Sequence, residues 1–202
     1  MITIERMMSI GKDELEEASK SIDKSDLSQL VEWLSEKDDK IRYSALLLLQ
    51  YRSFSSNDVY PFWDVFQSKL TSENSYQRSI GLMLIAENAK WDMENKLDTA
   101  MDAFLVHLND EKPITVRQCI QALCKIIPYK GHLHFKIANA LMSIQLANVN
   151  DTMRKSTLLD ILNVLVMIRK QQRTDEIECY IFNALSGGIL DKKAKGQIEA
   201  ML

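Results

Sequence analysis

A chain of 202 residues in which 46% of side chains are hydrophobic can bury a core without staples, which excludes a disordered chain. Six glycines and three prolines are few and suit a chain made mostly of helix. The net charge of −3 is uneven: residues 1–40 carry 6 basic and 11 acidic side chains (−5), residues 41–112 carry 7 and 10 (−3), and residues 113–202 carry 12 and 7 (+5). Residues 1–24 read as one or two short helices that cap an apolar end, with Glu14, Glu16 and Glu17 on a solvated face. The first full unit, 25–55, opens at Ser25 as N-cap. Leu27, Leu30, Val31 and Leu34 follow at helical spacing. The charged link 35–40 breaks the pattern, a second and more apolar helix starts at Ile41, and a turn over 53–57 closes the unit.

The unit 56–91 repeats this plan. An aromatic-rich helix over 58–70 holds Phe62, Trp63 and Phe66, with Pro61 in its first turn, where a missing N–H costs little. After the link 71–75 comes a second helix through Gln77, Arg78 and Gly81. In the unit 92–128 the first helix is expected from Met93 to Leu108 and the second from Pro113 to Ile127. In 129–170 the pair is His132–Leu146 and Met153–Ile168. A last repeat and cap fill 171–202, with a helix from Thr174 to Leu185 closed by Gly187 and Gly188, and another over 191–202.

Two landmarks keep step along these units. Arg42, Arg78, Arg117 and Arg154 each open a second helix, at gaps of 36, 39 and 37 residues. Leu34, Leu70, Leu108 and Leu146 end the preceding helices, at gaps of 36, 38 and 38. Two markers drifting together mean a structural repeat. A single helix pair cannot bury both of its apolar faces, whereas stacked pairs wall each other.

The second helices share a motif: an acidic residue, an arginine, a small residue three positions on, then a leucine-rich run. Asp38, Arg42 and Ala45 show it in full; Asp151 precedes Arg154 and Gly81 stands where Ala45 stands, while Ile120 and Thr157 replace the small residue and no acid precedes Arg78. Residues 25–185 thereby resemble the HEAT-repeat family of antiparallel helix pairs. The resemblance implies an all-α fold: a right-handed α-α superhelix, a HEAT- or armadillo-like solenoid of about five helical hairpins in one domain over 1–202. It also implies that Arg42, Arg78, Arg117 and Arg154, with Asp38 and Asp151, form a structural ladder. Each guanidinium would bond link carboxylates and carbonyls, a task suited to its five fixed donors.

The residues show no catalytic constellation. Neither GxxxxGK[ST] nor GxGxxG occurs, nor HExxH or CxxC. Cys119, Cys124 and Cys179 make an odd count, against a disulfide framework and against zinc. His132 and His134 are two apart, which splays their rings on a helix, so neither metal nor cofactor is expected. Asp160 interrupts an apolar run and is expected either in solvent or bonded to the ladder. No stretch reaches about 18 uninterrupted apolar residues, and the start lacks a basic region before an apolar block. With unpaired cysteines, these features set the expectation of a cytoplasmic protein without a membrane partner.

A solenoid without a catalytic site is expected to bind. Second helices line the concave side of such stacks, so Tyr43, Gln50, Tyr51, Ser79, Glu87, Gln118, Lys125, Lys155 and Asn163 should face outward. From these, Tyr43, Gln50, Tyr51, Gln118, Lys125 and Asn163 are the partner-binding candidates. The expected function is a non-enzymatic scaffold for a protein or peptide, because tyrosine supplies interface energy at small entropic cost. The alternative is a DNA-binding protein like the alkylation-repair glycosylases built on HEAT-like pairs. It would rest on Trp91-Asp92 and on the basic Arg169, Lys170, Arg173, Lys192, Lys193 and Lys195. The acidic first 112 residues oppose a polyanion there.

Overall fold

The computed structural model describes residues 2–202. These residues form twelve α-helices joined by short 3₁₀ turns, and no strand occurs among them. The chain divides into two compact units, the first ending at Ala100 and the second running from Met101 to Leu202. That boundary falls inside the expected repeat 92–128.

The first unit holds α1 (Ile4–Met8), α2 (Leu15–Ser21), α3 (Leu27–Trp33), α4 (Asp39–Ser55), α5 (Trp63–Lys69) and α6 (Ser75–Asn88). α4 is its centre and packs against α1, α2, α3 and α6, while α5 packs on α6. The α3–α4 and α5–α6 pairs are therefore helical hairpins, and their second helices touch. Leu30, Leu34, Leu48, Leu49, Trp63, Phe66, Leu84 and Ile85 are fully buried between them. Each second helix starts on a side-chain cap: Asp38 accepts from the Lys40 and Ile41 amides at 2.8 and 3.3 Å, and Asn74 from the Tyr76 amide at 2.9 Å.

Gly81 explains how closely α5 and α6 approach. A Cβ built there would stand 2.7 Å from the Phe66 carbonyl oxygen. Only a residue without one fits, at some cost in helix propensity.

α7 (Lys96–Leu105) carries the chain across the boundary. The second unit continues with α8 (Pro113–Ile126), α9 (His134–Met142), α10 (Asp151–Gln171), α11 (Asp175–Ser186) and α12 (Lys192–Glu199). Here α10 is the centre, packed against α8, α9, α11 and α12. Pro113 sits in the first turn of α8, where its missing N–H leaves no helical bond unmade.

Several expected boundaries move, each for a local reason. Ser25 is not the N-cap of α3. Asp23 accepts from both the Ser25 amide and its hydroxyl, which starts a 3₁₀ turn first, and α3 begins only at Leu27. Pro61 lies in a separate 3₁₀ segment, Asn57–Phe62, ahead of α5. Met93 is outside α7 and 87% exposed, because Asn95 takes a left-handed φ of 55° and Asp92 caps the helix that follows. α4 runs on to Ser55, so the expected turn at 53–57 is mostly helix. Gly187 caps α11 in an extended conformation and not in the left-handed one that would require glycine.

Candidate functional site

The four arginines take three different sets of partners. Arg42 donates to the Glu36 carbonyl at 2.8 Å and pairs with Asp39. The expected partner, Asp38, is occupied as N-cap, and Asp39, one turn before the arginine, takes its place. Arg78 donates to the Ser72 and Glu73 carbonyls, both at 2.9 Å. Arg154 donates to the Leu146 and Val149 carbonyls at 2.9 and 3.1 Å and pairs with Asp151 at 2.5 Å. Arg117 departs from the pattern: its Nε reaches Asp160 of α10 at 2.6 Å instead of its own link. Gln121 adds a bond to the other Asp160 oxygen at 3.1 Å. Asp160 is thus a buried carboxylate bonded from α8, not a solvated one.

A buried node in the first unit has no counterpart in the expected ladder. Arg52 donates to Asp58 through Nε at 3.0 Å and Nη2 at 2.5 Å, and to the Ser19 and Lys20 carbonyls at 3.0 and 2.8 Å. Lys24 pairs with the other Asp58 oxygen at 2.6 Å. Burial pushes the Asp58 carboxyl up, but the bonds from Lys24, Ser56 and Arg52 outweigh it and hold the group at about 2. The node ties the end of α2 to α4 and the turn after it. Position 52 repeats no motif, so nothing in the spacing marks it.

Three of the six partner-binding candidates lie on one face of α4. Tyr43 is 58% exposed, Tyr51 is exposed, and Gln50 is half-buried with a 3.4 Å bond to Glu87 of α6. Phe54 completes the stripe at 67% exposed. It stands eleven residues after Tyr43, about three turns along the same face, and the expected turn at 53–57 had removed it from the helix. At the start of α6, Tyr76 is 60% exposed and its ring covers the Arg42 guanidinium at 5.1 Å. The Lys90 ammonium lies 4.6 Å from the Phe54 ring centroid and 4.8 Å from that of Trp91. Burial pushes its pKa down. Ser79, expected outward, is buried within the run Arg78–Leu82, because α6 is enclosed on several sides.

The other three candidates lie in the second unit. Lys125 is exposed, and Gln118 and Asn163 are half-buried. Gln118 and Lys125 are seven apart on α8 and share a face. The Gln118 Oε1 and Asn163 Oδ1 atoms are buried and accept no hydrogen bond. Partial desolvation of its ammonium by neighbouring side chains pushes the Lys125 pKa down, although the residue as a whole is exposed.

Four of the eight residues offered for DNA chemistry, Trp91, Asp92, Arg169 and Arg173, have structural bonds. Asp92 is 4% exposed and accepts from the Tyr60 hydroxyl at 2.9 Å and from the Lys96 and Leu97 amides at 2.8 and 3.0 Å. The Trp91 indole donates to the Ser53 carbonyl at 2.7 Å. Arg169 and Arg173 share Glu178, at 2.7 and 3.3 Å. His134 is buried against the Ile127 carbonyl at 2.8 Å, and His107 bonds Asp110 at 3.1 Å. No group of three His, Cys, Asp or Glu side chains is placed to hold a metal ion among the described residues. Burial pushes the Cys119 thiol well up and Cys124 to about 11, so both are poor nucleophiles. Among the described residues no helix is long and apolar enough to cross a membrane.

No protein-family model matches the chain, and no curated protein matches it in sequence.

Proposed function

We propose that the chain is a non-enzymatic binding scaffold, a right-handed superhelix of HEAT-like hairpins that holds a protein or peptide against the faces of its second helices. The observation that carries this reading is the exposed aromatic stripe Tyr43, Tyr51 and Phe54 on one face of α4. Large aromatic side chains left in solvent along one helix face form the kind of exposed apolar patch that marks an interaction site. They are also the residue types that dominate interface energy. The mixed charge of the face, with Lys90 beside Glu87, suits a polypeptide better than a polyanion. Support for the HEAT-like part comes from the α3–α4 and α5–α6 hairpins, the close approach at Gly81, and three arginines bonded to their own links.

The test is affinity capture from extract of the source cells, comparing the wild-type chain with Tyr43→Ala/Tyr51→Ala/Phe54→Ala. A partner recovered by the wild type and lost by the variant, with far-ultraviolet circular dichroism unchanged, supports the proposal. The same partner retained by the variant refutes the assigned face. Binding of duplex DNA that weakens steeply with salt would favour the nucleic-acid alternative instead.

A further inference from the structure

Within the first unit, a cleft of about 550 Å³ opens between the link of the α3–α4 hairpin and the link of the α5–α6 hairpin. Lys69, the last residue of α5, forms part of its wall and is only 8% exposed. Its ammonium donates to the Ser35 hydroxyl at 3.1 Å and to the Gln77 amide oxygen at 2.5 Å. Both acceptors are neutral, and they take two of the three N–H bonds.

The cleft holds two acids, and neither neutralises Lys69. Asp39 is paired with Arg42, and Glu36 makes no ion pair with Lys69. With Lys37 and Arg42 also in the wall, three cations face two carboxylates, an excess of one positive charge. A buried ammonium without a counter-charge is costly and is ordinarily found paired. Partial burial pushes its pKa down, the ordinary effect of desolvation on a cation. The neighbouring hydroxyls are also donors in waiting. Ser35 accepts from Lys69 and Ser72 accepts from the Asn74 amide at 3.2 Å, which leaves each O–H free to point into the cleft.

We infer that this cleft binds a small tetrahedral oxyanion, inorganic phosphate or a phosphate monoester, with the Lys69 ammonium as counter-charge and the Ser35 and Ser72 hydroxyls as donors. The bound anion accepts the remaining Lys69 N–H and offsets the excess charge. The inference is independent of the partner face on α4: Tyr43, Tyr51 and Phe54 are not in the cleft wall, and Tyr76, which is, belongs to α6.

The test is calorimetric titration of the full chain with inorganic phosphate, at ionic strength held constant with chloride. The expected result is saturable binding that Lys69→Met weakens by roughly tenfold or more, the loss of a charge-assisted bond. Ser35→Ala should weaken it less, and Lys170→Met should leave it unchanged. Titration with O-phosphoserine separates the two sources of the group: tighter binding than inorganic phosphate assigns the site to a monoester, weaker binding to the free ion. On the wild-type chain alone, the Lys69 ε-methylene resonance should move in step with added phosphate, which keeps the test decisive if Lys69→Met fails to fold. No saturable heat and no movement of that resonance, or equal binding by Lys69→Met, overturns the inference.

Discussion

At the scale of single residues, buried charge in this protein is spent on joining segments distant in sequence. Asp58 is the clearest case, with its carboxylate 6% exposed beneath Arg52 and Lys24. Its pKa falls from an ordinary 3.8 to about 2, so the folded state binds the proton more weakly than the unfolded state. The resulting stabilisation is present above pH 3.8 and is lost as the pH falls from there toward 2. A shift of that size corresponds to about 2 kcal/mol. Asp58→Asn should therefore be less stable than wild type by about that amount at pH 6, with the gap closing toward pH 2. Urea unfolding at both pH values measures it, and a gap independent of pH would remove Asp58 from the account. Arg117 and Asp160 form the equivalent test in the second unit. Arg117→Met should cost about 2 kcal/mol by stranding a buried carboxylate, and much less in an Asp160→Asn background. A double-mutant cycle gives the coupling, and additive effects would contradict it.

Among the elements, α4 and α10 dominate because each is wrapped by four other helices. Both bury residues on several sides of the helix, from Arg42 to Ser53 in α4 and from Thr157 to Ile168 in α10, as a surrounded helix must. α6 is held against α5 by the absence of a side chain at position 81. Gly81→Ala would ordinarily favour a helix by about 1 kcal/mol. Here the new methyl meets the Phe66 carbonyl at 2.7 Å, and the clash should reverse the sign, for a net loss of about 1–2 kcal/mol. Thermal unfolding of the variant decides this, and a raised melting temperature would show that α5 can move aside. Leu49 is fully buried, so Leu49→Ala should cost about 2–5 kcal/mol in denaturant unfolding. A loss below 1 kcal/mol would mean that the α4 core closes over the gap.

For the whole molecule, the proposed binding function predicts that the α4 stripe is dispensable for folding and indispensable for partner capture. Tyr43→Ala/Tyr51→Ala/Phe54→Ala should leave the unfolding midpoint nearly unchanged, because exposed side chains contribute little to the core. A large drop in that midpoint would mean that the aromatic side chains are packing residues. The amino-acid sequence by itself determined the all-helical fold, the succession of helices broken by short links, and the spacing of the arginines, because those depend on residues within a few turns of one another. Tyr43, Gln50 and Tyr51 were legible as one face for the same reason, whereas Phe54 was hidden by a helix end placed one turn early. Tertiary structure alone decided that Asp39 displaces Asp38, that Arg117 reaches Asp160 43 residues away, and that Arg52 gathers carbonyls 32 and 33 residues before it. It also decided that Lys69 lies beside a cleft. Such pairings depend on which side chains are left facing one another once the hairpins have packed, and a local pattern carries no record of that.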